Sequence, residues 1–119
     1  VLYPVNFSCW QDGGFGSTLM DKALEKGVGI LALKSLACRP WNEGEERKWK
    51  KCWYKPLDTP AEIEQALQFT LSKPVTAAVA PAHAELLWQA CEAIERISPI
   101  KQGLDVTVGN SKPIFSRAE

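Results

Sequence analysis

Three blocks of apolar residues punctuate the chain, at positions 1–7, 28–36 and 75–80, and each is followed by a stretch patterned for a helix. The first block carries Pro4, which suits the start of a strand or an edge strand. A glycine-rich segment, 9–16, then reads as a loop, with Ser17 as N-cap. Leu19, Met20, Ala23 and Leu24 recur at helical spacing, and Gly27 stands where a left-handed residue ends such a helix. The second block is almost uninterrupted, as a strand covered on both faces of a parallel sheet requires. Thr59-Pro60-Ala61-Glu62 is a helix start: Thr59 caps, Pro60 takes the first turn, and Glu62 completes a capping box. Ile63, Ala66, Leu67 and Leu71 supply its apolar face, and Pro74 stops it. The third block reads as another buried strand, followed by a helix over 85–97 with Leu86, Leu87, Ala90, Cys91 and Ile94 facing a core. The tail, 98–119, is irregular, with a short extended piece expected at Val106-Thr107-Val108.

Strands alternating with helices predict parallel pairing. Three strands are few, and a parallel sheet this small leaves two apolar edges that further strands or another chain would cover. Residues 39–56 interrupt the alternation. This segment sets Arg39, Arg47, Lys48, Lys50, Lys51 and Lys55 among Trp41, Trp49, Trp53 and Tyr54, and reads as a long loop insertion. It could stack bases or grip a polyanion. Glu43, Glu45, Glu46 and Asp58 weigh against that and favour a loop that packs its aromatics on the rest of the fold.

Composition narrows the picture modestly. The 119 residues suffice for one domain with a core, and 45% are hydrophobic. Lys plus Arg and Asp plus Glu number 14 each, so net charge gives no reason to expect nucleic acid or an anionic membrane as partner. No run approaches the length of a membrane helix. The first residue is Val1, so the expectation is that the chain begins inside a longer product. Cys9, Cys38, Cys52 and Cys91 have neither zinc-site nor disulfide-scaffold spacing, which reads as reduced thiols in a cytoplasmic protein.

Candidate chemistry is sparse. The loop Asp12-Gly13-Gly14-Phe15-Gly16-Ser17 precedes a helix, where backbone amides can hold a phosphate, although Leu19 replaces the last glycine of a dinucleotide fingerprint. His83, the one histidine, follows the third apolar block, where active sites of parallel α/β folds gather; a lone histidine is more often a capping or surface residue. Lys34 ends the second block, either as a functional contact in a polar pocket or as a snorkelling lysine.

Three stretches together resemble the C-terminal part of the aldo/keto reductase family, NAD(P)H-dependent (β/α)8 barrels. They are Leu2-Tyr3-Pro4-Val5-Asn6-Phe7 with the helix after it, residues 27–36, and residues 66–72 running into 74–81. Lys112-Pro113-Ile114-Phe115 resembles the end of the family's tail. The resemblance implies an α/β fold of parallel βα units, strands six to eight of a TIM barrel, incomplete in this chain. Residues 1–97 would hold three βα units with the insertion 39–56, and 98–119 the tail. It places the family's catalytic Asp, Tyr, Lys and His in the half of the barrel with no counterpart here, so no catalytic residue is assigned. It puts Asn6 near the nicotinamide, Leu33 or Lys34 where many members stack an aromatic on that ring, and Pro81, Ala82 and His83 where many grip the adenosine phosphate. Lys, Ser and Arg are absent from the last three positions. The implied cofactor is NADP or NAD, the partner a small carbonyl substrate, and the fragment alone is expected to be inactive. The alternatives are a homo-oligomer assembled through open sheet edges, and a small phosphate-binding module built on 13–17.

Overall fold

In the computed structural model, which describes residues 1–101 and 108–116, the three apolar blocks lie side by side as parallel strands. They are β1 (Leu2–Pro4), β2 (Leu31–Leu33) and β5 (Ala77–Ala78), in the order β1-β2-β5. Register runs Leu2↔Leu31↔Ala77 and Tyr3↔Ala32↔Ala78. Between them come α1 (Phe7–Gln11), α2 (Ser17–Glu25), the strands β3 (Ala37–Pro40) and β4 (Tyr54–Pro56), and α3 (Pro60–Leu71); α4 (Ala84–Ile97) follows β5. The α/β alternation and parallel pairing expected from the sequence are present.

The two faces of the sheet differ sharply. Tyr3 and Ala32 are 5% and 0% exposed, and Met20 and Ala23 of α2 pack on them. Ala78, in register with Ala32, opens toward Leu67 of α3 and Ala90 of α4. The helices therefore gather on one face. On the other, Leu2 is 54% and Leu31 42% exposed, beside an exposed Ala77. Alternate residues of a strand point to opposite faces, so this bare apolar row follows directly from the register. Among the described residues, β1 and β5 have no further strand on their outer edges.

Several expectations need correction. The segment 9–16 is not all loop: Phe7–Gln11 forms a short helix. Asn6 caps it, its Oδ1 accepting from the Cys9 amide at 2.9 Å, while Phe7 and Trp10 set their rings edge-on to Phe69. The N-cap of α2 is Gly16, with Ser17 already helical. The apolar block 28–36 contributes only Leu31–Leu33 to the sheet, because the chain turns at Lys34. The insertion is closed at its base, since β3 and β4 pair antiparallel. Thr59 is the N-cap of α3 and Pro60 opens the helix, but Thr59 Oγ1 donates to Glu62 Oε1 at 2.5 Å and makes no backbone cap. Gly27 behaves as expected, at φ +64° just past α2.

The main core lies between α3 and α4, with Ile63, Leu67, Phe69, Ala90 and Ala93. Complete burial of Ile63 contributes roughly 1.5–3 kcal/mol. The chain's end returns over the hairpin. The Lys112 amide donates to the Cys38 carbonyl at 2.7 Å, and Phe115 meets Phe15 and Trp53 edge-on. The extended piece expected at Val106-Thr107-Val108 lies mostly outside the described residues; Val108 itself is buried.

Candidate functional site

The C-terminal end of β2 meets the hairpin at Lys34, the residue that organises this end of the sheet. Its φ is +62°, a region a side chain beyond glycine rarely enters. The conformation is held from two sides. The Lys34 carbonyl accepts from Asn6 Nδ2 at 3.0 Å and from the Ala37 amide at 3.0 Å. Val5 N also donates to Leu33 O at 3.1 Å, tying β1 to the strand end. The Lys34 ammonium then lies 4.7 Å from the Tyr54 ring centroid and 5.8 Å from that of Trp53.

Around it is a cavity of about 190 Å3. Leu33, Lys34, Ser35 and Leu36 form one wall, residues 51–54 of the hairpin a second, and residues 79–82 after β5 a third. Of the residues singled out from the sequence, Leu33, Lys34, Pro81 and Ala82 line this cavity together. Asn6 is buried behind it. Its amide bonds Lys34 O, Cys9 N and Ser8 Oγ, so it supports the strand end from inside. His83 stands beside the cavity as N-cap residue of α4 without a side-chain cap bond. Its Nε2 instead accepts from the Lys51 amide at 3.1 Å, and its ring lies edge-on to Trp49 at 5.1 Å.

Two of the acids in or beside the hairpin, Glu45 and Asp58, are paired within it. Arg39 makes paired bonds to Glu45 at 2.8 Å, and Lys55 approaches the same carboxylate at 3.8 Å. The Arg39 guanidinium, then the Asn42 amide, hold the Glu45 carboxyl down at about 2. Asp58 accepts from Trp49 Nε1 at 2.8 Å and lies 3.6 Å from Lys48 Nζ. None of the cavity's lining residues is acidic, and among the described residues neither Lys34 nor Lys51 has an ion-pair partner. The cavity is therefore electropositive in a chain of zero net charge. Burial first, then neighbouring Cys52, pushes the Tyr54 hydroxyl well above its usual range.

The sequence singled out Lys51, Trp53 and Tyr54 as part of an aromatic, basic insertion, and the structure adds that they line the cavity at Lys34. The antiparallel pairing that brings Trp53 and Tyr54 over Lys34 had no hairpin signature across the long span from Pro40 to Tyr54. In the glycine loop 13–17, Gly13 packs against α1, while Gly14, Phe15 and Gly16 line a second cavity of about 400 Å3 with Thr18, Leu19 and Lys22. The Gly13 and Phe15 amides donate to carbonyls of α1, and a Cβ on Gly13 would stand 2.6 Å from the Phe115 oxygen. Among the described residues no cluster of His, Cys, Asp and Glu is placed to hold a metal, and no helix is long and apolar enough to cross a membrane. All four cysteines are free thiols. No family model, curated protein or solved structure matches this chain.

Proposed function

We propose that the chain is the C-terminal part, or a truncated homologue, of an NAD(P)H-dependent aldo/keto reductase barrel, and that alone it catalyses nothing. The observation that carries this reading is the one-sided sheet: three parallel strands, helices on one face only, and a bare row of Leu2, Leu31 and Ala77 on the other. A doubly wound sheet has helices on both faces. A (β/α)8 barrel keeps its helices outside and fills the inside with apolar side chains from successive strands. The cavity also lies at the C-terminal strand ends, where barrel active sites are built.

In this reading the chain supplies part of the cofactor wall. Leu33, Lys34 and Pro81 face the nicotinamide cofactor, NADP or NAD; Asn6 fixes the backbone of Lys34; His83 holds the hairpin loop through Lys51. Bound cofactor would supply the hydride for a small carbonyl compound, and the proton donor would come from strands outside this chain. Incubation with NADPH and a generic aldehyde should show no oxidation of cofactor above blank. Sustained turnover by the chain alone would overturn the reading.

A second reading, a homo-oligomer joined through sheet edges, draws on the unpaired β1 and β5. Light scattering separates the two: a defined dimer with a continuous sheet favours the oligomer, a monomer the barrel part.

A further inference from the structure

We propose that the cavity at the C-terminal end of β2 is a binding site for a small aromatic carboxylate, its ring against Trp53 and its carboxylate against the Lys34 ammonium. The proposal rests on the cavity's own residues, not on the barrel reading, and at Lys34 and Pro81 it assigns a ligand other than the nicotinamide cofactor. Three observations converge on it. The two lysines that line the cavity are unpaired among the described residues, and no acid lines it, so an anion is the ligand that completes its charge. Trp53 is 52% exposed although its neighbours Cys52 and Tyr54 are buried. An indole left half in water beside an apolar wall of Val79, Ala80 and Pro81 presents area for a flat ring. The volume, about 190 Å3, is below that of pockets for drug-sized ligands and restricts the occupant to a molecule as small as one ring with one acid group.

The backbone makes the same point. Lys34 occupies a left-handed position that glycine would take without strain, and bonds from Asn6 and Ala37 hold it there. A strained residue fixed by its surroundings, at the mouth of a cavity, is a feature of ligand sites. The rings of Tyr54 and Trp53 steer its ammonium over the hairpin side of the cavity.

Titration of the whole chain with benzoate, followed by the indole N–H resonances of its five tryptophans, tests the proposal. The Trp53 signal, identified with Trp53→Phe, should shift saturably while that of exposed Trp88 stays still. Neutral benzamide and ringless acetate should each bind roughly tenfold more weakly, since one lacks the charge and the other the stacking surface. Lys34→Gly should weaken benzoate roughly tenfold while the protein melts close to the parent temperature. Lys34→Asn, which tolerates the same backbone, should do likewise and guards against a folding artefact. Equal binding of benzoate and benzamide, unchanged affinity in both Lys34 variants, or no saturable shift at Trp53 would each overturn the proposal. Binding of NADP but not benzoate would also overturn it, while leaving the barrel reading standing. Binding of benzoate without NADP would support the site and count against the cofactor wall.

Discussion

Lys34 shows how one residue can be read only halfway from sequence. Its position at the end of an apolar run marks it as polar at a strand terminus; its left-handed backbone and its place over Tyr54 and Trp53 need the fold. Replacing it with glycine removes left-handed strain of about 1 kcal/mol. The lost ammonium–ring contacts, roughly 0.5–1 kcal/mol, offset most of that gain. Chemical denaturation of Lys34→Gly should therefore give a stability within roughly 1 kcal/mol of the parent. A loss of several kcal/mol would mean the lysine is chiefly a structural clasp. Gly13 makes the opposite case. An added methyl meets the Phe115 backbone oxygen at 2.6 Å and Cys9 Cα at 2.9 Å, and backbone cannot swing aside as a side chain can. Gly13→Ala should cost roughly 1–3 kcal/mol by overpacking and release the Phe115 end from α1. Unchanged stability together with an unchanged Phe115 environment by NMR would refute that.

At the scale of elements, the helices were the legible part. The start at Thr59-Pro60, the apolar spacing in α3 and Gly27 after α2 each act through local chemistry, which a sequence displays directly. The helix α4 forms as its pattern predicts, but of the residues expected to face a core only Leu86 and Ala90 are buried, while Leu87, Cys91 and Ile94 are exposed. The strands were found but overextended, because an apolar residue leaving a sheet for a turn looks the same as one staying in it. The helix α1 is only five residues and owes its existence to Asn6 below it and Phe69 across from it, one local and one distant. The hairpin depended on pairing across a long insertion, which no turn signature announces. Its base is closed by Arg39 and Glu45, and this gives a pH prediction. The folded Glu45 carboxyl titrates near 2, below its ordinary 4.5. Its contribution is thus complete above about 4.5 and is lost as pH falls through about 2. The Asn42 amide, which donates to Glu45, should lose exchange protection across that window, and Glu45→Gln should remove the transition. An acid step of the same size in Glu45→Gln would assign it elsewhere.

For the whole molecule, the decisive feature is the contrast between the two sheet faces. Its cause is visible in register: Leu2, Leu31 and Ala77 fall in one row, Tyr3, Ala32 and Ala78 in the next. The sequence showed apolar strands and predicted that their edges needed cover, but which face the helices take is set by how the chain crosses over. Leu31→Lys, on the bare row, should change stability by no more than about 0.5 kcal/mol and reduce concentration-dependent association. Ala32→Lys places an unpaired charge at a fully buried position and should unfold the chain. Comparable destabilisation by both substitutions would mean the two faces are alike.

The most direct test is to add a soluble paramagnetic relaxation agent to the methyl-labelled monomer. The methyls of Leu2 and Leu31 should be strongly broadened, whereas those of Ile30 and Ala32 should be spared. Leu31 methyls as well shielded as the Ala32 methyl would contradict a sheet that is covered on one side only.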